Sequence, residues 1–199
     1  MTSSTPGRAR APLTREVIVE AALTVVDTEG LGALSMRRLA REVGVEAASL
    51  YHHVASKDAL LDALVVRIRS EMTLPDPLPT EWPRLMEAIF AEYRRVLVAH
   101  PAAIALAGRR VETDPDSGLM YLVSIGFDLD HAVELWQSVV AFVVGFSMLG
   151  SQVVSLDDED LSESVRRRFG QWREETFRRS LRMLLDGYAA ALPSAQSPE

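Results

Sequence analysis

Along most of this chain the apolar residues recur every three or four positions, the spacing that gathers side chains on one face of an α-helix. No stretch alternates convincingly with the period of two that a half-buried strand requires. The pattern therefore predicts an all-α protein. Thr14 is placed to cap a first helix reaching about Glu29, with Val17, Ala21 and Val25 beside Ile18, Ala22 and Val26 as two adjacent rows of a broad buried stripe. Gly30 ends that helix. Ser35 is placed to cap a second, in which Leu39, Ala40 and Val43 share a face, and Gly44 stops it, because a residue without Cβ adopts the left-handed conformation after a helix. A third short helix resumes near Glu46 and turns Leu50 and Val54 inward. Ser56 then caps a longer helix to about Met72, with Leu60, Leu61, Leu64, Val65 and Ile68 facing in.

Residues 73–83, TLPDPLPTEWP, hold four prolines and are the clearest break in the pattern. Beyond them Thr80 is placed to cap a helix running to about Ala99, with Pro83 in its first turn. His100-Pro101 interrupts it, a short helix of about 101–107 ends at Gly108, and Arg109-Arg110 with ETDPDSG forms a polar loop. A helix of about 117–125 follows. Asp130 is placed to cap the longest apolar segment, to about Val154, on which Ser138, Ala141 and Gly145 form a small-residue face. Its length invites comparison with a membrane span. Acids flank it and the uninterrupted apolar run is short of ~18 residues, so it is expected to be a buried core helix. A charged loop follows, acidic from Asp157 to Asp160 with Glu163 and basic from Arg166 to Arg168. The last helix, about Gly170 to Leu192, carries Phe177, Leu181, Leu184 and Tyr188 as a stripe. The expected organisation is a disordered tail over 1–13, a three-helix head over 14–56, a helical second domain over 57–192 and a short tail over 193–199.

The stretch Ser35–Lys57 has the layout of a helix-turn-helix reading head. Its second helix opens on mostly small residues, Glu46 to Ser49, which allow close approach to another surface. Tyr51, His52, His53 and Lys57 follow, all able to donate hydrogen bonds to phosphate. The wider segment LSMRRLAREVGVEAASLYHHVASKDALLDAL resembles the DNA-binding domain of the tetracycline-repressor family of bacterial regulators, above all in LYHHV followed by SKDALL. That resemblance implies an all-helical homodimer that binds a palindromic double-stranded operator and lets go when a small molecule enters its C-terminal domain. It also implies which residues face the duplex: Ser35, Arg37, Ala47, Ala48, Ser49, Tyr51, His52, His53 and Lys57. Of these, Tyr51, His53 and Lys57 are expected mainly on phosphates, and Ala47, Ala48 and Ser49 where base edges or thymine methyls are met.

Charge changes the picture only when divided. The 199-residue chain carries a net −7, yet its first 55 residues balance six arginines against six acids, and the stretch 35–57 is locally +2. The acidity lies beyond residue 55. Affinity for DNA is thus expected from a small local patch, while the remainder repels phosphate. Arg8 and Arg10 in the tail suit either a minor-groove arm or a solvated segment. The absence of cysteine excludes disulfides, zinc-thiolate sites and thiol nucleophiles. No apolar leader precedes residue 14, which fits a cytoplasmic protein.

No catalytic constellation is present, so no enzyme is expected. GFSMLG at 145–150 misplaces the second glycine of a nucleophile elbow. No metal motif or phosphate loop occurs, and neither cofactor nor metal is expected. In the second half, WPRLMEAIFAEYRRVLVAHP and GFDLDHAVELWQSVVAFVVGF resemble the effector-domain helices of the drug-binding tetracycline repressors. In that subgroup a histidine before a G-x-R loop holds the drug as a magnesium chelate. Here the segment reads AAIALAGRR, without histidine, and Ile89 stands where drug-binding members carry an amide. A mainly apolar effector is therefore expected, lined by Phe90, Leu106, Met120, Phe127, Trp136 and Phe142, with Tyr93, His100 and Arg109 fixing its orientation. The alternative is a constitutive or architectural DNA-binding dimer whose second domain only dimerises.

Overall fold

A computed structural model describes residues 12–109, 117–153 and 174–191. Eight α-helices lie among them: α1 (Arg15–Glu29), α2 (Met36–Val43), α3 (Ala47–Tyr51), α4 (Lys57–Arg69), α5 (Trp82–Ala99), α6 (Ser117–Ser124), α7 (Leu129–Val153) and α8 (Glu174–Ala191). Short 3-10 turns occur at Leu31–Ala33 and Pro101–Leu106, and no strand occurs among the described residues. The chain divides into two compact units, Met1–Leu64 and Val65–Glu199, so the division falls inside α4.

The first unit follows the capping signals closely. Thr14 Oγ1 accepts the Val17 backbone N–H at 3.3 Å, Ser35 Oγ accepts that of Arg38 at 3.1 Å, and Ser56 Oγ accepts that of Ala59 at 3.0 Å. Each satisfies a donor that a helix start leaves without an intrahelical partner. Gly44 takes φ 67 and ψ 44, the left-handed turn that lets α3 leave α2 abruptly. The interior is apolar: Ile18, Ala22, Val25 and Val26 of α1 are fully buried, as are Leu39, Leu50, Leu60 and Leu64. Burying a leucine of this kind stabilises by about 2 kcal/mol. The α1 stripe is turned from the expected one. Val17 is 39 % exposed, while Val19 and Leu23 are buried in its place. Two equally apolar rows did not say which faced in.

In the second unit, α5, α7 and α8 enclose a core that includes Phe90, Leu97, Leu122, Leu135, Val139, Val143, Phe177, Leu181 and Leu185. The rings of Phe142 and Phe177 stack with centroids 5.5 Å apart, and the Arg94 guanidinium lies 4.9 Å from the Phe177 centroid. Arg94 also pairs with Glu174 at 2.6 Å, and buried Glu87 accepts two nitrogens of Arg182, at 2.6 and 3.1 Å. These pairs pin α8 against α5. The α8 stripe centres on Phe177, Leu181 and Leu185, with Leu184 and Tyr188 half-buried at its margin.

Two expected caps shift by one or two residues. The residue before α5 is Glu81, with no side-chain capping bond, so Thr80 does not cap it. Asp128, not Asp130, caps α7: its Oδ1 accepts the His131 backbone N–H at 3.0 Å. The helix begins at Leu129, which places Asp130 already inside its first turn. The segment Leu129–Gly150 is long and apolar enough to cross a membrane by length and composition, yet it sinks Ala132, Leu135, Val139, Val143 and Phe146 into the core. Only 33 % of its apolar window is buried. On the face of Ser138, Ala141 and Gly145, the Ser138 and Tyr188 hydroxyls lie 3.0 Å apart, and among the described residues a Cβ at Gly145 would meet nothing within 4 Å. The charged loop from Asp157 to Arg168, the tail with Arg8 and Arg10, and most of ETDPDSG lie outside the described residues.

Candidate nucleic-acid interface

The reading head is built by three short-range devices acting together. The Ser35 cap starts α2, the Gly44 turn ends it, and Leu50 and Val54, 0 % and 2 % exposed, anchor α3 from beneath. A five-residue helix is too short to persist alone, so this anchoring keeps it formed. The helical pitch then fixes the rest. With Leu50 inward, Ala48, Tyr51, His52 and His53 are exposed and Ala47 and Ser49 half-buried. Lys57, at the start of α4, is exposed, as are Ser35 and Arg37. All nine sequence-predicted residues thus lie in one small head, seven of them exposed and Ala47 and Ser49 half-buried. Ser35 spends its oxygen on the cap and keeps its hydroxyl proton to donate.

One arrangement here was not foreseen. Arg38 does not face outward as a free cation. Its Nε donates to Glu29 Oε1 at 3.0 Å and its Nη2 lies 2.8 Å from Glu42 Oε2, so α1 and α2 are tied through one guanidinium. The hydrogen bond from Arg38 holds the Glu29 carboxyl below its ordinary value, and the two carboxylates push Arg38 upward. The i,i+4 spacing of Arg38 and Glu42 was a readable signal; Glu29, nine residues back, was not. With Arg38 so occupied, the exposed cations of this stretch are Arg37, Arg41 and Lys57. Glu46, at the start of α3, is exposed without a capping bond.

The residues expected to line an effector pocket fall into several groups. Phe90 and Trp136 meet edge to face at 5.4 Å, Trp82 and Phe127 do so at 5.1 Å, and Phe142 stacks on Phe177. Phe90, Leu106 and Phe127 are buried, Trp136 and Phe142 partly so. Met120 is 56 % exposed, because α6 turns Leu122 inward instead. Gly118 lies directly against the Trp136 indole: a Cβ there would come 2.5 Å from Cη2. The polar candidates are engaged within the protein. The Tyr93 hydroxyl donates to the Ala107 carbonyl at 3.0 Å, and burial pushes its pKa up. His100 Nε2 lies 3.1 Å from Glu71 Oε2. The Arg109 backbone N–H donates to the Leu106 carbonyl at 3.0 Å. Among the described residues no group of three or more His, Cys, Asp or Glu side chains is placed to hold a metal ion.

A capped three-helix head with an exposed third helix, on a chain whose other described elements are helical, defines a helix-turn-helix protein. The family model for bacterial regulatory proteins of the tetR family matches residues 18–64, the segment just described. An HTH-type transcriptional regulator of Saccharopolyspora erythraea is 36 % identical over 144 residues, covering 69 % of this chain and 61 % of the relative. The class E tetracycline repressor of Escherichia coli is 31 % identical over 142 residues, covering 68 % and 67 %. The protein belongs to the tetracycline-repressor family. The chain aligns with less than two thirds of the Saccharopolyspora relative's own length. Among solved structures, ligand-free ActR of Streptomyces coelicolor superposes with a TM-score of 0.69 at 27 % identity, covering 92 % of this chain and 97 % of that one. A TetR variant of Acinetobacter baumannii in complex with minocycline superposes at 0.72 over 94 % and 98 %; at 23 % identity it attests the fold.

Proposed function

We propose that the protein is a cytoplasmic transcriptional repressor that binds an inverted-repeat operator as a homodimer and is released by a mainly apolar small molecule. The observation that carries this reading is the exposed row Ala48, Tyr51, His52, His53 and Lys57 standing over buried Leu50 and Val54, flanked by Arg37. Small residues there admit the helix to a major groove, and the donors beside them meet phosphates. The largely uncovered apolar window of α7 supports the dimer, two copies pairing α7 and α8 as a four-helix bundle about a twofold axis. A twofold protein reads half-sites spaced by about one helical turn or a multiple of it. One of the ActR structures is a complex with actinorhodin, so a structural neighbour of this chain takes a small molecule.

The aromatic set Phe90, Phe127, Trp136 and Phe142 supports an apolar or aromatic effector here. Magnesium-tetracycline is not the expected one. Leu106 and Ala107 precede the glycine where a chelate would need an imidazole, and Mg²⁺ favours oxygen-rich coordination. Release works as a population shift, the ligand favouring an arrangement of the second unit that moves α4. A hundredfold release requires about 2.7 kcal/mol of coupling, and by reciprocity operator DNA weakens ligand binding by the same factor. The test is selection of duplexes from a random pool, followed by sedimentation and by titration with apolar aromatic compounds and with tetracycline plus Mg²⁺. An inverted repeat bound by a dimer is expected. A monomer at micromolar concentration, no enriched duplex, or release by micromolar tetracycline overturns the corresponding part. Binding that no compound disturbs would instead mark a constitutive dimer.

A further inference from the structure

The reading head is poor in positive charge, yet it turns one of its arginines inward. Arg38 is half-buried where Arg37, Arg41 and Lys57 are exposed. Its Nε donates to both oxygens of Glu29, at 3.0 and 3.1 Å. Its Nη2 also donates to Glu29 Oε1 and lies 2.8 Å from Glu42 Oε2. A cation that could meet phosphate is thus spent inside the head, and two acids stand on a body that approaches DNA. Long-range electrostatics disfavours both choices. Folding stability does not account for them, since ion pairs this open to solvent contribute little.

The two carboxylates differ in what they join. Glu42 lies one turn along α2 from Arg38, so that contact links α2 only to itself. Glu29 is the last residue of α1, held in place where the Gly30 N–H donates to the Val26 carbonyl at 2.9 Å. Its contact with Arg38 joins two helices. Of the eight residues of α2, Met36, Leu39 and Ala40 are buried. Apolar burial is non-directional, so it sets the distance of α2 from its neighbours and holds its rotation loosely. A planar guanidinium that meets one carboxylate through two nitrogens is directional. Both ends of α2 bear on the duplex. Ser35 and Arg37 stand at its start, and at its finish the Gly44 turn hands the chain to α3. A turn of α2 by about 10° moves a side chain ~6 Å from the axis by about 1 Å. Productive binding geometry tolerates about half of that.

We infer that Arg38 and Glu29 are positioning residues for operator recognition: their tie fixes the rotation of α2 on α1, and with it the register of Arg37 and α3 on the duplex. This rests on the DNA-binding reading above and names residues of the head that serve it without touching DNA. The hydrogen bond from Arg38 holds the Glu29 carboxyl below its ordinary value, in keeping with a charge-assisted contact. Positioning and electrostatics make opposite demands on Glu29. If charge alone matters, removing an acid from the head tightens binding to any DNA. If the tie matters, removing that acid weakens binding to the correct sequence and leaves other sequences no worse bound.

The experiment uses the full chain and measures binding of a duplex selected by the wild type and of an unrelated duplex of equal length. Glu29→Gln should lose about fivefold on the selected duplex, within the range seen for side chains of one network. On the unrelated duplex it should bind as well as the wild type or better, because a negative charge has gone. Glu42→Gln removes the same charge but no link between helices, and should bind both duplexes at least as well as the wild type. Arg38→Lys keeps the net charge and loses the planar fork, so it should lose affinity for the selected duplex alone. Arg38→Ala should lose at least as much there as Glu29→Gln, and adding Glu29→Gln to it should cost nothing further, because both remove one interaction. Arg38→Lys and Glu29→Gln carry the test should Arg38→Ala unfold, and circular dichroism gives the folded fraction of each variant at the assay temperature. A head that is merely destabilised would bind both duplexes less well in the same proportion. Unimpaired or tighter binding of the selected duplex by Glu29→Gln, equal losses on the two duplexes, an equal loss in Glu42→Gln, or a further loss in the double variant each overturns the inference. Failure of the wild type to select any duplex would overturn the DNA-binding reading itself, before any variant is made.

Discussion

Gly118→Ala offers a sharp test of how the second unit is packed. In most helices this change is favourable, because alanine loses less conformational freedom on folding and gains about 0.5–1 kcal/mol. Here the new methyl carbon would lie 2.5 Å from Trp136 Cη2 and 3.2 Å from Cε3, and nearer still to Cζ3. Non-bonded carbons rest at about 3.5–4 Å, so the ring or α6 must move by roughly an ångström. The ring has little room, since Phe90 meets it edge to face at 5.4 Å. Overpacking of this kind costs about 1–3 kcal/mol, which outweighs the propensity gain and leaves the variant about 1–2 kcal/mol less stable. For a chain of this size that is a fall of roughly 4 °C in melting temperature. The assay is thermal and denaturant unfolding at fixed protein concentration, with near-ultraviolet circular dichroism to follow the indole. Gly187→Ala is the control: it lies in α8 with nothing within 4 Å of a new Cβ, and should stabilise by about 0.5–1 kcal/mol. Equal or greater stability in Gly118→Ala, with an unaltered indole signal, would refute the seating of α6 on Trp136.

Three further outcomes are expected. Lys57→Ala should weaken binding to all duplexes alike and lower the slope of affinity against salt by about one unit; an unchanged slope removes Lys57 from the interface. Leu50→Ala, at a fully buried position under α3, should cost about 2–5 kcal/mol and unfold the head before the second unit in a denaturant series; a single unshifted transition would contradict this. The exposed Asp128–His131 pair predicts a pH window. Its hydrogen bonds hold Asp128 below its ordinary 3.8 and raise His131 above its ordinary 6.5. The His131 contribution is therefore full below about pH 6.5 and fades as pH rises through the raised value, while that of Asp128 is full above about pH 4 and fades on acidification. Melting temperature against pH should flatten in His131→Gln on the alkaline side of that window; an unchanged profile would deny the pair any role.

What the sequence revealed and concealed follows from distance along the chain. Thr14, Ser35, Gly44 and Ser56 act on backbone groups within three or four residues, so their spacing alone located α1, α2 and α4 and assembled the reading head. The same local logic slipped where two candidates stood side by side, choosing Thr80 over Glu81 and Asp130 over Asp128. It also misjudged the rotation of α1, since Val17 and Val19 are equally apolar. The ties between helices were beyond it. Glu29–Arg38 spans 9 residues, Glu71–His100 29 and Glu87–Arg182 95, and no local pattern marks one carboxylate among many as the partner of one cation. Hence Tyr93 and His100 were legible as polar groups in an apolar region, while what they hold became visible only in three dimensions.

The uncovered face of α7 bears on how such a protein responds to its own abundance. For a dimer of the kind proposed, chains below the dissociation constant of the pair are mostly single, and each single chain presents one weakly charged head. A second head on the same frame finds its half-site at a raised effective concentration, so the pair holds DNA far better than its halves. Operator occupancy in that regime rises with the square of the amount of chain. Apolar contact along one helix thereby converts a modest change in expression into a steep change in silencing, a threshold set by the bundle and independent of any ligand.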